Sequence, residues 1–179
     1  AEIQNVYWQA NLLFLFDKKI GKDKLSVVDV KAGKMLWTTD QYQDLTEDNI
    51  EYIDALDAFF FSQKNSTVLI NARTGAKIWE TDKFKGSIGG FTYLADKKEL
   101  LMVNYQPTTL AALFSGFKNQ LVRINAENGE IKWSSMFFGF VEKEVLTRKP
   151  LVSLTLQNNK VFLQLDGLQV FDYETGQMI

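Results

Sequence analysis

The sequence predicts an all-β fold assembled from about four repeats of a small antiparallel sheet, and three observations carry that prediction. Branched and aromatic residues alternate at period two in short runs, with turn residues every eight to twelve positions. A short motif recurs in which Asp or Asn is followed by Gly four residues later and by Trp four residues after that. From Gly33 to Gly75, Gly75 to Gly129 and Gly129 to Gly176 the steps are 42, 54 and 47 residues, the length of a four-stranded propeller blade and too uneven for a helical solenoid.

The first unit runs from "LLFLF" (residues 12–16) through the lysine-rich "KKIGKDK" (18–24) into "LSVVDVKAGKMLW" (25–37), which supplies Asp29, Gly33 and Trp37. The second opens with an acidic stretch, "DLTEDNIEYIDAL", that reads either as a helix capped from Thr46 or as an inner strand with Ile50, Tyr52 and Asp54 alternating. The strand reading is preferred. It continues through "AFFFS" (58–62) to Asn71, Gly75 and Trp79. The third opens with "GSIGG" (86–90), passes through "LLMVNY" (100–105) and ends on Asn125, Gly129 and Trp133. Its extra length falls at residues 106–118, read as an insertion between blade strands, with Leu110, Ala111, Leu113 and Phe114 suited to a short apolar helical turn. The fourth runs from "KVFLQL" (160–165) to Asp172 and Gly176, and the sequence stops at Ile179, one residue before its Trp would stand. Approximate blades are therefore 1–40, 50–82, 88–135 and 145–179.

Each part of the motif has a physical reason. A glycine closing a three- or four-residue loop supplies the positive φ that a bulged hairpin turn demands. The Asp or Asn four residues earlier can accept hydrogen bonds from the turn amides. A large ring at a constant distance beyond the glycine points to repeated packing between neighbouring units, which cannot bury both faces alone.

These segments resemble the repeats of the pyrroloquinoline-quinone (PQQ)-type β-propeller family, whose unit reads roughly Ala-x-Asp-x-x-Thr-Gly-x-x-x-Trp. The matching residues are Asp29, Gly33 and Trp37; Asn71, Thr74, Gly75 and Trp79; Asn125, Gly129 and Trp133; and Asp172, Thr175 and Gly176. Asn replaces Asp twice, Ala32 and Asn128 stand in place of Thr, and the last Trp is missing. The resemblance implies that Trp37, Trp79 and Trp133 each pack over the Gly turn of an adjacent blade. It also implies closure at seven or eight blades, so the four found here read as a piece of a longer propeller, or as a half that associates through its open edges.

Composition narrows function. A net charge of -2 and a pI near 5.3 give no basic footprint for nucleic acid. The chain has no His and no Cys, which removes Ser-His and Cys-His chemistry, the usual zinc ligands and any disulfide. No apolar run is long enough to span a membrane as a helix.

Enzymes of the resembling family use a calcium ion held by carboxylates and amides, an Asp base and often a cysteine pair against the cofactor. Repeats alone do not license that chemistry, and no matching constellation stands out here, so the expectation is no cofactor and no catalysis. Asp40, Asp44, Glu47, Asp48, Glu51, Asp54 and Asp57 could be weighed as a calcium cluster but lack a calcium-loop spacing and read as a solvated connector. "KKIGKDK" reads as a hairpin tip rather than a binding patch, and "GSIGG", without a Walker lysine, as a tight lead-in to an inner strand. Two apolar loops remain: Leu110, Leu113, Phe114 and Phe117 in the insertion, and Phe137 and Phe138 in "MFFGF". They either cover the core or form a protein-binding patch.

The resulting expectation is a non-catalytic scaffold that binds a protein partner. Resemblance to the outer-membrane assembly branch of the same repeat class implies that role and a periplasmic location. The alternatives are part of a PQQ-dependent oxidoreductase, and an extracellular sensor or carbohydrate-binding propeller.

Overall fold

A computed structural model of the protein describes residues 3–19, 22–42, 50–62, 66–84, 87–105, 119–145 and 150–179. They form four antiparallel sheets whose strands pair in chain order. The chain divides into two compact units, Ala1–Lys83 and Phe84–Ile179.

In the first unit, β1 (Ile3–Gln9), β2 (Leu12–Lys19), β3 (Lys22–Asp29) and β4 (Lys34–Thr39) make one sheet, and β5 (Ile50–Ile53), β6 (Ala58–Ser62), β7 (Thr67–Asn71) and β8 (Lys77–Thr81) make the next. Alternation does the sorting. Leu12, Phe14 and Phe16 of β2 and Leu25 and Val27 of β3 point one way and pack against Phe59, Phe61, Val68 and Ile70 of the second sheet. Phe14 meets Phe59 edge to face at 3.9 Å between ring centroids, within the core where these rings contribute most. In the lysine-rich stretch Lys18 pairs with Asp23 and Lys19 with Lys22, while Ile20 and Gly21 lie outside the described residues.

The acidic stretch becomes strand only over β5. Asp54, expected to continue the alternation, instead opens a 3-10 turn, Asp54–Leu56, closed by the Asp57 amide on the Asp54 carbonyl at 3.2 Å. Asp57 sits at φ 45°, which reverses the chain into β6 and ends the strand.

In the second unit, β9 (Ser87–Leu94), β10 (Glu99–Tyr105), β11 (Gln120–Asn125) and β12 (Ile131–Met136) make the third sheet. The fourth has three strands, β13 (Ser153–Gln157), β14 (Lys160–Gln164) and β15 (Leu168–Asp172), plus an isolated antiparallel bridge from Phe171 to Met178. Leu101, Val103 and Leu121 pack on Val161, Leu163 and Phe171. The Thr92 hydroxyl donates to the Leu154 carbonyl at 2.8 Å and ties the two inner strands. In the "GSIGG" stretch Gly89 is the extra residue of a bulge between Ile88 and Gly90, where a Cβ would meet the Val103 and Tyr105 side chains at 3.0 and 3.1 Å. Residues 106–118, the insertion, lie outside the described residues.

Candidate functional site

The repeated turns share one construction. Asn71 Oδ1 accepts from the Arg73 and Thr74 amides, Asn125 Oδ1 from those of Glu127 and Asn128, and Asp172 Oδ1 from that of Thr175, all within 2.8–3.2 Å. The Thr74 and Thr175 hydroxyls donate to the same oxygens. These bonds from Thr175 hold the Asp172 carboxyl below its ordinary range. The glycine amides then close back on the carbonyls of Asn71, Asn125 and Asp172 at 2.8–2.9 Å. In the first turn Asp29 Oδ1 accepts the Ala32 amide at 2.9 Å, and Ala32 has no hydroxyl to add.

Just beyond each turn one strand residue is left unpaired, Leu36, Ile78 and Lys132 respectively, and the tryptophan follows it. This bulge re-aims the ring. The Trp37 indole lies over the Gly75 turn: Nε1 donates to the Ala72 carbonyl at 2.8 Å, and a Cβ on Gly75 would fall 2.7 Å from the ring. Trp133 repeats the arrangement on the fourth sheet, donating to the Tyr173 carbonyl at 2.8 Å, with a Cβ on Gly176 2.6 Å from the ring. Trp79 is buried and stands edge-on to Phe60 of its own sheet at 5.9 Å. Gly33 has nothing within 4 Å of where its Cβ would stand.

Two charged clusters flank these turns. Arg73 bridges Asp57 at 2.9 Å and Asp29 at 3.2 Å, and the Tyr52 hydroxyl donates to Asp57 at 2.6 Å. Burial and that bond push the Tyr52 hydroxyl up to about 12. In the other unit Arg123 forks onto Glu99 at 2.6 and 3.0 Å, donates to the Tyr173 carbonyl at 3.0 Å, and lies 3.9 Å above the Tyr173 ring. The Tyr173 hydroxyl donates to Glu99 as well. Sequence reasoning missed both clusters, because Asp57 and Arg73 in turns and Glu99 and Arg123 in strands each read as solvent-facing when taken alone.

These pairings bear on the cofactor question. Among the described residues no three carboxylates converge as cation ligands, and Asp29, Asp57 and Glu99 are already engaged by arginine. These three carboxylates are therefore held in ion pairs within their own units. Of the acidic stretch, Asp44, Glu47 and Asp48 lie outside the described residues.

The surface candidate is the connector after β12. Phe137 and Phe138 part company: Phe137 is buried in the second unit's core, whereas Phe138 is 73 % exposed. Gln169 of β15 clamps the Phe138 backbone, accepting its amide at 2.9 Å and donating to its carbonyl at 2.7 Å. Further on, the Leu151 amide donates to the Glu142 carbonyl at 2.7 Å, and Lys143 bridges Pro150. The held connector presents Phe138, Phe140 (65 % exposed), Val145 and Leu151 to solvent. Phe140, Glu142, Leu151, Leu165 and Asp166 line a cleft of about 90 Å³. Leu110, Leu113, Phe114 and Phe117 lie outside the described residues.

No curated protein matches the chain by sequence. Solved structures with the same fold include the quinohemoprotein alcohol dehydrogenase of Comamonas testosteroni (TM-score 0.55, 13 % identity, 94 % of this chain and 33 % of that one). A europium-containing methanol dehydrogenase (0.56, 9 %, 99 % and 43 %) and the C-terminal WD40 domain of Sif2 (0.56, 16 %, 99 % and 45 %) also align. The chain thus spans between a third and a half of the structures it matches, and at these identities the likeness shows fold alone. It is a partial β-propeller of about four blades. The family model described as outer membrane protein assembly factor BamB matches residues 63–178, and with the repeated Gly turns and indoles the chain belongs to that family.

Proposed function

We propose that the protein is a non-catalytic scaffold outside the cytoplasm that docks a protein partner on the connector following β12. The observation that carries this reading is the exposed Phe138 and Phe140 on a segment whose backbone is pinned by Gln169. An apolar side chain held in water by a rigid backbone is a pre-organised anchor, because little further entropy is lost on docking. Glu142 and Asp166 beside the cleft favour a partner segment that brings an apolar side chain flanked by Lys or Arg. The family's description as an outer membrane assembly factor supports both an interaction role and the extracytoplasmic location.

The test places a photo-crosslinking residue at Phe138 in cells that make the protein and, in parallel, at exposed Lys132. A single adduct formed from Phe138, absent from Lys132 and lost with Phe140→Ser, supports the reading. Equal adducts from both positions, or none, reject it. Oxidoreductase activity is tested separately by titrating the chain with PQQ and Ca²⁺, where saturable binding with a redox-active chromophore would replace the scaffold reading.

A further inference from the structure

We infer that Asn128 is a site of spontaneous deamidation, gated by the opening of its own turn, and that its isoaspartate product unseats Trp133 from the fourth sheet. The inference concerns neither the connector after β12 nor its partner, so it stands apart from the reading above.

Asn128 is the only asparagine of the sequence that is followed by glycine. A glycine there has no Cβ to hinder approach, so its backbone nitrogen can reach the side-chain carbonyl carbon of the residue before it. The Gly129 nitrogen bonds to Asn128 Cγ, its proton passes to Nδ2, and the Cγ–Nδ2 bond breaks to release ammonia. Water then opens the resulting succinimide at either carbonyl. Opening at Cγ gives aspartate, whereas opening at the main-chain carbonyl gives isoaspartate, whose backbone runs through Cβ and Cγ and is one methylene longer.

The closed turn ties down both reacting groups. The Gly129 amide donates to the Asn125 carbonyl at 2.9 Å, and Asn128 Oδ1 accepts the Glu130 amide at 2.9 Å. Thr74 and Thr175 hold the equivalent position in their turns, where their hydroxyls accept the Ala76 and Gln177 amides at 3.2 and 3.3 Å. Asn128 therefore copies the acceptor of threonine but brings a leaving group with it. Its turn is also the more loosely tied, since Asn125 Oδ1 accepts the Asn128 amide at 3.2 Å, against 2.9 and 2.8 Å for the Thr74 and Thr175 amides. Asn128 is exposed in the loop joining β11 to β12, and such loop tips open before the strands they connect.

The product acts on the indole four residues beyond the glycine. Trp133 Nε1 donates to the Tyr173 carbonyl at 2.8 Å, and the Ser135 hydroxyl donates to the Gly176 carbonyl at 2.6 Å. An added methylene before Gly129 takes its amide off the Asn125 carbonyl and shifts β12 against β11, so the ring leaves its place over Gly176.

The test ages the full chain at mildly alkaline pH, folded and in guanidinium chloride, and maps the modified asparagines by peptide mass, with isoaspartate scored by enzymatic methylation. Asn128 should be modified before any other asparagine, and roughly tenfold or more slowly in the folded chain than in the unfolded one. Asn125→Ala, which unties the turn amides, should move the folded rate toward the unfolded rate, and Asn128→Thr should abolish ammonia release from this turn. Solvent exchange of the Trp133 indole N–H, read by NMR, should quicken roughly tenfold in the isoaspartate chain and keep the parent value in Asn128→Asp. Another asparagine modified first, equal rates in the folded and unfolded chains, or Trp133 exchange unmoved by isoaspartate overturns the inference.

Discussion

The same three positions are solved with apolar residues in one half of the molecule and with charge in the other. Beside Trp37, the first sheet places Leu12 and Val27, and the second sheet answers with Ala72; all three are fully buried. Beside Trp133, the third sheet places Glu99 and Arg123, and the fourth answers with Tyr173. Both arrangements leave an indole over a glycine with its N–H on the same carbonyl. The ring and the turn are therefore the constant of the design, and the filling beneath them varies so long as it is either dry or fully paired. Arg123 meets that condition through its fork on Glu99, the Tyr173 carbonyl and the Tyr173 ring.

The most severe way to break the comparison is to remove one member of the charged filling. Arg123→Met strands Glu99 beside the core and should cost roughly 3–5 kcal/mol, measured by urea denaturation. The triple variant Glu99→Leu/Arg123→Met/Tyr173→Phe copies the dry solution and should return to within about 1 kcal/mol of the parent. A triple variant as unstable as the single one would mean that the two fillings are not interchangeable.

Acid sharpens the contrast. Burial pushes the Glu99 carboxyl up, but bonds from Arg123 and Tyr173 more than offset this and leave it below the ordinary 4.5. A carboxyl lowered in the folded state adds stability that is complete above 4.5 and is lost as pH falls through the folded value. The parent's urea midpoint should therefore drop more steeply below 4.5 than that of the triple variant. Parallel slopes would remove Glu99 from the account. Asp57, also lowered because Tyr52 and Arg73 outweigh its desolvation, is common to both proteins and cancels.

The smallest effect belongs to the exposed counterpart. Arg73 bridges Asp29 and Asp57 with 42 % of its side chain in solvent, so Arg73→Gln should cost less than about 1 kcal/mol and should fade with added salt.

The sequence made the repeat legible because its most informative residues are the ones whose chemistry is least replaceable: a glycine at positive φ and a ring of fixed size. It placed residues 12–16, 58–62, 100–105 and 160–165 in strands for the same reason, since an unbroken or alternating apolar run has few other homes. The bulges at Leu36, Ile78 and Lys132 left no mark, because an unpaired strand residue needs no special side chain. The Glu99, Arg123 and Tyr173 cluster was equally hidden, as each residue alone suits a wet strand and only the register brings them together. Phe137 and Phe138 show the limit at the surface candidate: adjacent, alike in chemistry, and sent to opposite environments just past the end of β12.

The claim beneath all of this is that an indole resting on a glycine joins successive sheets: Gly75 carries the Trp37 ring, whereas nothing stands within 4 Å of where a Gly33 Cβ would lie. Gly33→Ala and Gly75→Ala impose a similar backbone strain, with φ at 63° and 71°, so the difference in their unfolding free energies isolates the contact with Trp37. The account predicts that Gly75→Ala is the more destabilising by at least about 2 kcal/mol, an overpacking cost absent at Gly33. Equal losses at the two glycines would contradict it.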